Sequence, residues 1–306
     1  MNQIIIKSKK SIGFTAYNFQ PFFNLMKPRV MSLVLFTCVV GLVIAPTQIT
    51  FLNTVLSLFA VAIGSGAAGT LNMWYESDLD ALMSRTCLRP IPAGKVQKNQ
   101  ALLFGLALSI LSISMLYYFA NFISAVLLAS TISFYFFIYT IWLKRKTSQN
   151  IVIGGAAGAL PPVIGWTIAT GSISIEPLIL FLIIFFWTPS HFWALSLYKS
   201  SDYKKAKIPM LPITSGVETT KINILIYSLI MLPIVAAPYF LNFGSIIYLT
   251  ISLLMTINYI YLCYKLFKTK KIKKSNILAR KVFVYSIFYL FFLFIIILID
   301  NMIKVL

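Results

Sequence analysis

The feature that most constrains the fold is a series of nine long apolar runs. They cover approximately residues 30–46, 53–73, 101–120, 122–143, 151–169, 177–197, 222–240, 245–264 and 282–299. Each is close to the roughly 20 residues that a helix needs to cross a bilayer. The runs are continuously apolar, which favours helices over a membrane β-barrel. We therefore expect an all-α polytopic membrane protein of nine transmembrane helices.

Lysine and arginine residues lie almost entirely in alternate loops. Of the 26, all except Lys304 fall in residues 1–29, 74–100, 144–150, 198–221 and 265–281. Because such residues accumulate on the cytoplasmic side of a membrane, the N-terminal segment 1–29 is predicted to be cytoplasmic and the C-terminus external. This orientation accounts for the net charge of +19, so no nucleic-acid partner is expected. The basic run 265–281 has a second interpretation as a contact for anionic membrane lipid.

Acidic residues cluster directly after the second run. The chain has 7 Asp and Glu residues in total, and Glu76, Asp78 and Asp80 stand together. Asn72, Glu76 and Asp80 are spaced i, i+4, i+8, so a helix continuing through them places all three on nearly the same face. Magnesium is commonly held by one or two carboxylates together with phosphate oxygens of a substrate.

Basic residues follow the acids within the same loop. Arg85, Arg89 and Lys95 are close enough in sequence to contact the phosphate side of such an assembly. The segment thus predicts a magnesium–diphosphate site at a membrane surface. The alternative is a polar loop whose charges are simply solvated.

A second polar loop follows the sixth run. Asp202 lies there among Lys199, Lys204, Lys205 and Lys207. Four spans separate the two loops, so both are expected on the same side of one helical bundle. Residues 74–100 and 198–221 are therefore the predicted active-site inner loops.

Small residues mark two of the predicted spans. Residues 64–69 and 154–158 are Gly, Ala and Ser only, and the second group precedes Pro161 and Pro162. Small residues allow membrane helices to approach closely, and prolines interrupt a helix where a neighbour or a cavity satisfies the freed carbonyls. We expect both spans to be central, with a cavity beside the second.

Four stretches together resemble the UbiA superfamily of intramembrane prenyltransferases, and within it the branch that farnesylates haem. The stretches are KPRV from Lys27, NMWYESDLDALMSRTCLRPIPAG from Asn72, YTIWLKRKTSQNIVIGGAAGALPPVIGW from Tyr139 and HFWALSLYKSSDYKKAKIPMLP from His191. The resemblance covers residues 25–300 approximately. It implies a single membrane-embedded domain, 1–306, with a UbiA-like helical bundle.

The resemblance also implies an activity. Members of this branch transfer a farnesyl group from farnesyl diphosphate to a vinyl group of haem b with Mg²⁺, giving haem O. The expected location is a bacterial inner membrane, or alternatively a mitochondrial inner membrane. Haem A synthase or a terminal oxidase assembly is the expected recipient of the product.

Family residues carry over to matching positions of this sequence. Asn72, Glu76 and Asp80 match the metal-binding motif, with Glu76 where Asp is usual and Asp78 as an extra acid. Asp202 is the only carboxylate at the second motif, so the implied metal ligands are Glu76, Asp80 and Asp202. The basic residues expected to bind diphosphate are Arg29, Arg85, Arg89, Lys144, Arg145 and Lys204.

The single histidine and the acceptor leave alternatives open. His191 is expected either to bind haem or to form a helix-packing hydrogen bond. A quinone or chlorophyll precursor is an alternative acceptor. A secondary transporter is the alternative class, although such proteins usually place ionisable groups near the middle of the membrane.

Overall fold

The computed structural model describes residues 19–47 and 49–305, with side chains described as far as residue 304, and this part of the chain is helical without strands. The first 18 residues of the predicted cytoplasmic segment lie outside the described residues. The helices are α1 (Gln20–Leu25), α2 (Pro28–Val43), α3 (Phe51–Tyr75), α4 (Ser77–Leu82), α5 (Lys98–Phe119), α6 (Phe122–Ser133), α7 (Asn150–Ala159), α8 (Pro161–Thr170), α9 (Ile175–Tyr198), α10 (Ser200–Lys205), α11 (Leu211–Thr214), α12 (Val217–Phe240), α13 (Ile246–Lys268) and α14 (Ile272–Val305).

The long helices confirm the all-α polytopic fold. Eight helical segments of the described chain are long and apolar enough to cross a membrane, and each coincides with one of the predicted runs. The remaining run is α2, an apolar helix of 16 residues and therefore about 24 Å long. Since that is shorter than a full span, the ninth crossing stays a prediction, as does the orientation.

The small-residue spans are among the most buried ones, as expected of central helices. In the most apolar window of each segment, 67% of α7–α8, 56% of α9 and 50% of α3 is buried, against 22% of α5. Close contact between α2 and α8 depends on glycine. A Cβ on Gly165 would stand 1.9 Å from the carbonyl oxygen of Cys38, and one on Gly41 would stand 2.0 Å from that of Pro162. Neither position tolerates a side chain, so the backbones of these two helices are in direct contact.

The predicted interruption of the fifth run is present. Helix α7 ends at Ala159, and α8 begins at Pro161. Proline suits the first position of a helix because its missing N–H would have no intrahelical partner there. The break therefore divides this span into two helices of 10 residues each.

A feature that the sequence did not predict is a π-helical segment, Phe134–Leu143, which continues α6. Where it ends, the backbone N–H of Lys144 donates to the carbonyl of Tyr139, five residues earlier. Hydrogen bonds of this i→i+5 kind are rare and concentrate at functional sites. The segment ends one residue before Lys144, whose contacts are described below.

Candidate active site

The polar end of α3 carries three stacked oxygen-bearing side chains. Helix α3 ends at Tyr75, and Glu76 separates it from α4, so the helix does not continue unbroken through the motif as expected. The register is kept nevertheless, because the amide of Glu76 donates to Asn72 and the amide of Asp80 donates to Glu76. Asn72, Glu76 and Asp80 are 2%, 2% and 3% exposed. They therefore form one buried polar row.

Cations from two different loops contact the two buried carboxylates of this row. Lys144, which follows the π segment, places its Nζ 2.5 Å from Oε2 of Glu76. Arg89 places its Nη1 2.8 Å from both carboxylate oxygens of Asp80. Charge-assisted hydrogen bonds of this kind are about twice as strong as neutral ones, so they hold the row in place.

The third acid of the motif lies outside the row. The Asp78 side chain is 58% exposed and forms a two-point pair with Arg145, at 3.0 and 2.8 Å. Partial burial raises the pKa of Asp78, but hydrogen bonds from Arg145 and from the backbone outweigh it and lower the pKa below its usual range. The same pair raises the pKa of Arg145. Asp78 is thus a surface partner for the loop that carries Lys144.

Asn72 has two partners that the sequence did not indicate. Its amide nitrogen donates to the Thr140 hydroxyl at 3.1 Å, and its amide oxygen accepts from Lys27 Nζ at 2.6 Å. Lys27 precedes α2 in a left-handed backbone conformation, with φ of 54°. In the sequence, Lys27 stands out only as the first residue of the KPRV stretch that leads into the first apolar run.

Lys27 has an unusual electrostatic environment. Burial, with repulsion from Arg89 and Lys144, lowers the pKa of Lys27 to about 7, against the attraction of Glu76 and Asp80. Burial acts in this direction because it disfavours the charged form. The ammonium group of Lys27 is therefore held among charges of both signs.

The second inner loop packs against the first. Asp202 lies in α10, is 7% exposed, and accepts a hydrogen bond from the Ser84 hydroxyl at 3.0 and 3.2 Å from its two oxygens. Beneath this contact, Met83 of the first loop shares an apolar cluster with Tyr203 and Ile208 of the second. The two loops are thus joined by both polar and apolar contacts.

The oxygen atoms of the polar row can be compared with the ligands that a magnesium ion needs. Within residues 19–47 and 49–304, no three His, Cys, Asp or Glu side chains lie together closely enough to hold a metal. However, Oε1 of Glu76 is buried and has no hydrogen-bond partner in that part of the chain. An unpaired carboxylate oxygen beside further oxygen donors is suitable for a hard cation, and magnesium needs only one or two carboxylates. The residues therefore fit magnesium.

The other predicted basic residues are more open. Arg29, Arg85 and Lys204 are exposed, and within the described chain none of them forms an ion pair. They are available to an anionic ligand that arrives from the solvent side.

An apolar cavity opens beside the polar row. It has about 700 Å³ of empty space, part of it open to solvent, and lies between α2, α3, α6 and the α7–α8 break. Lys27 and Tyr135 supply polar groups, and small residues such as Gly64, Ala68 and Gly158 provide much of the room. A Cβ added to Gly158 would meet no atom within 4 Å. The expected cavity beside the broken span is present.

His191 lies in a different environment, between α9 and α14. Its ring stacks on Trp187 and Phe283, with ring centroids 4.3 and 4.5 Å away. Its Nδ1 is 2.7 Å from the Ser286 hydroxyl. These contacts account for His191 as a packing residue, and its haem contact stays a prediction.

Comparison with known proteins identifies the class. The model of the UbiA prenyltransferase family matches residues 34–298. The chain therefore belongs to the UbiA prenyltransferase family, which decides between the enzyme and transporter alternatives in favour of the enzyme.

Similar proteins make the resemblance more specific. The chain is 63% identical to a protein from Pelagibacter ubique named protoheme IX farnesyltransferase, over 97% of this chain and 98% of that protein. It is 48% identical to a protein of the same name from Parvibaculum lavamentivorans, over 92% and 88% of the two chains.

Solved structures share the fold. The digeranylgeranylglyceryl phosphate synthase structure superposes with a TM-score of 0.78 at 19% identity, covering 92% of this chain and 98% of that one. A UbiA homologue from Archaeoglobus fulgidus bound to GPP and Mg²⁺ gives 0.67 at 17% identity, with 90% and 99% covered. At these identities the likeness concerns the fold alone.

Proposed function

We propose that this protein transfers the farnesyl group of farnesyl diphosphate to a vinyl group of haem b, forming haem O. The observation that carries the proposal is the 63% identity to a protein named protoheme IX farnesyltransferase along nearly the whole of both chains. The alternative is a related prenyl transfer to another aromatic acceptor. Haem O, the product of the proposed reaction, would pass to haem A synthase or a terminal oxidase in the bacterial inner membrane. The mitochondrial inner membrane is the alternative location.

The reaction separates charge. The allylic C–O bond breaks, and the diphosphate keeps the electron pair. The vinyl π electrons of haem attack the farnesyl carbocation to form the new C–C bond. Water then adds to the resulting cation and releases a proton. The protein must therefore stabilise negative charge at one end of the farnesyl group and exclude water at the other.

Glu76 and Asp80 would hold the magnesium ion, with Asp202 of the second loop as the third expected ligand. When bound, the ion supplies positive charge that stabilises the departing diphosphate. The unpaired Oε1 of Glu76 supports this assignment. Asn72 orients its oxygen through Thr140 and Lys27.

The basic residues would bind the diphosphate in two groups. Lys144 and Arg89 neutralise the buried acids, and they would become available to the anion if a cation occupied the carboxylates. Arg29, Arg85 and Lys204 are exposed and contact the anion as it enters. Arg145 holds its loop in position through Asp78.

The apolar cavity would hold the farnesyl chain. It is lined by apolar and small side chains with Lys27 among them, so a chain bound there can place its diphosphate near the polar row. The apolar wall keeps water from the carbocation.

The test is an assay of the purified protein. With Mg²⁺, farnesyl diphosphate and haem b, we expect a more hydrophobic haem, separated by reversed-phase chromatography and identified by its mass. Omission of Mg²⁺ should abolish the product. Equal or faster prenylation of a quinone precursor offered in parallel would favour the alternative acceptor instead.

His191→Ala tests the haem contact separately. If His191 binds the iron, the variant should change the haem difference spectrum in the presence of haem alone. An unchanged spectrum would leave His191 as the packing residue that its Ser286 contact describes.

A further inference from the structure

A second cavity lies at the other end of the bundle. It has about 920 Å³ of open space and is bordered by the ends of α2 and α8, the beginning of α9 and Phe243, which follows α12. Helix α9 runs for 24 residues from this cavity to Tyr198, just before the Asp202 loop, a length of about 36 Å. The cavity is therefore on the membrane surface opposite to the polar row and has no part in the proposed transfer.

Three buried polar atoms at this cavity have no hydrogen-bond partner in the described chain. They are Nε1 of Trp166, Oγ of Ser174 and Oε2 of Glu176, and all three residues line the cavity. The Trp166 side chain is well buried, with the residue 5% exposed. Native proteins leave few buried polar atoms unpaired. Three together on one cavity indicate a ligand with both donor and acceptor groups.

The donor groups of the ligand must face a negative environment. Glu176 is the only charged residue among those lining the cavity. The C-terminal ends of α2 and α8, which carry partial negative charge, border the cavity, and Glu176 adds its carboxylate from the first turn of α9. The Thr47 hydroxyl donates to the backbone carbonyl of Ala169, so its remaining lone pair acts as an acceptor. This environment selects a cation that carries N–H groups.

The acceptor groups of the ligand must face the two donors. The indole N–H of Trp166 can only donate, and the Ser174 hydroxyl does not cap α9. An anionic oxygen close to the cationic group would satisfy both. The two requirements together describe a zwitterion, and ammonium next to phosphate fulfils them.

The position of the cavity indicates where such a zwitterion comes from. Ile173 and Ile175, beside the polar atoms, are 50% and 51% exposed. In a bilayer such side chains contact lipid. We propose that this cavity binds the phosphoethanolamine headgroup of a membrane lipid, with the ammonium group on Glu176 and the phosphate on Trp166 and Ser174.

The experiment compares lipids that differ in one property of the headgroup. Delipidated full-length protein is incubated with phosphatidylethanolamine, phosphatidylcholine or phosphatidylglycerol of the same acyl chains, and retained lipid is counted by native mass spectrometry. Phosphatidylcholine keeps the charge and the phosphate but lacks N–H donors. We expect phosphatidylethanolamine to bind about tenfold more tightly than either, the usual effect of a hydrogen bond to a charged group.

Variants assign the preference to the cavity. Glu176→Gln keeps the size of the side chain and should remove the preference for phosphatidylethanolamine over phosphatidylcholine. Trp166→Phe should weaken the binding of both phosphatidylethanolamine and phosphatidylcholine, because it removes the N–H group that donates to the phosphate. Glu218→Gln is the matched control, since Glu218 is an exposed acid at the start of α12 that pairs with Lys221, and it should bind as the wild type does.

Three results would overturn the proposal. They are equal retention of phosphatidylethanolamine and phosphatidylcholine by the wild type, a full preference in Glu176→Gln, and binding of soluble phosphoethanolamine as tight as that of the lipid. If Glu176→Gln elutes as an aggregate in size exclusion, Ser174→Ala with Trp166→Phe replaces it, and unchanged lipid binding in that pair is equally decisive. None of these results depends on farnesyl transfer.

Discussion

The two inner loops hold their buried acids differently. In the first loop, Glu76 and Asp80 each contact a cation. In the second, Asp202 is held by the neutral hydroxyl of Ser84 and forms no ion pair in the described chain. The four lysines close to Asp202 in sequence are all exposed. Proximity in sequence therefore does not predict pairing.

This difference suggests a division of roles. The first loop is close to neutral before a ligand arrives, because its acids and bases already satisfy one another. In the second loop the carboxylate of Asp202 has no ion pair within the described chain, so this one group is available to attract a metal ion toward the interface between the loops. The following substitutions test this division.

Asp80→Asn should have the largest effect. It removes one of the acids that would hold magnesium and releases Arg89, so we expect kcat to fall about a thousandfold, comparable to loss of a strong electrostatic contact in other active sites. Product formation in the haem assay measures it. Asp78→Asn is the matched variant, and its loss should be clearly smaller because the Asp78 side chain is 58% exposed. Equal losses of kcat in the two variants would show that the buried Asp80 contributes no more to the reaction than the exposed Asp78 does.

Lys144→Met should lower stability as well as activity, since Lys144 is also one of the residues proposed to bind diphosphate. It leaves the carboxylate of Glu76 buried without its cation, which should lower the free energy of unfolding by about 3 kcal/mol. Thermal unfolding in detergent measures this loss. The double variant with Glu76→Gln should recover most of it, since the uncompensated charge is gone. A single variant as stable as the wild type would show that the pair contributes little.

Ser84→Ala should affect metal use. Without the Ser84 hydroxyl, Asp202 loses its only side-chain hydrogen bond in the described structure, and we expect the Mg²⁺ concentration for half-maximal activity to rise about tenfold. Ser77→Ala is the control, because the Ser77 hydroxyl donates to the backbone carbonyl of Trp74 instead. The same rise in both variants would contradict a specific role for the Asp202 contact.

The last prediction concerns pH. The pKa of Lys27 falls from 10.5 to about 7 on folding, so between these values the unfolded state binds more protons than the folded state. Stability from this group therefore increases as pH rises from about 7 toward 10, and is lowest below 7 where both states are protonated. The unfolding temperature of the wild type, compared with that of Lys27→Met, should show this dependence. Lys95→Met, at an exposed lysine, should retain the wild-type profile.

The sequence predicted what depends on local pattern. The apolar runs located the long helices, because length and hydropathy are sufficient for that. The spacing of Asn72, Glu76 and Asp80 indicated their stacking, although the break at Glu76 was not foreseen. Pro161 and Pro162 predicted both the interruption and the neighbouring cavity.

Contacts between distant segments could not be predicted in the same way. Lys144 and Glu76 are 68 positions apart, and Ser84 and Asp202 are 118 apart, so no local spacing relates them. Lys27 is a similar case, since a lysine before a proline at a membrane surface is adequately explained as an anchor. Its burial depends on the path of α2 past α3. The unpaired polar atoms of the second cavity also come from separate segments, namely α8 and the beginning of α9.

The π-helical segment before Lys144 has a consequence for how the chain tolerates insertions and deletions. Removing one residue from Phe134–Leu143 would allow an ordinary α-helix to form and would rotate everything after it by about 100° relative to α6. The basic loop would then point away from the acid row, although the span would be only one residue shorter and would remain apolar. A deletion with little effect on membrane insertion would thus separate Glu76 from Lys144.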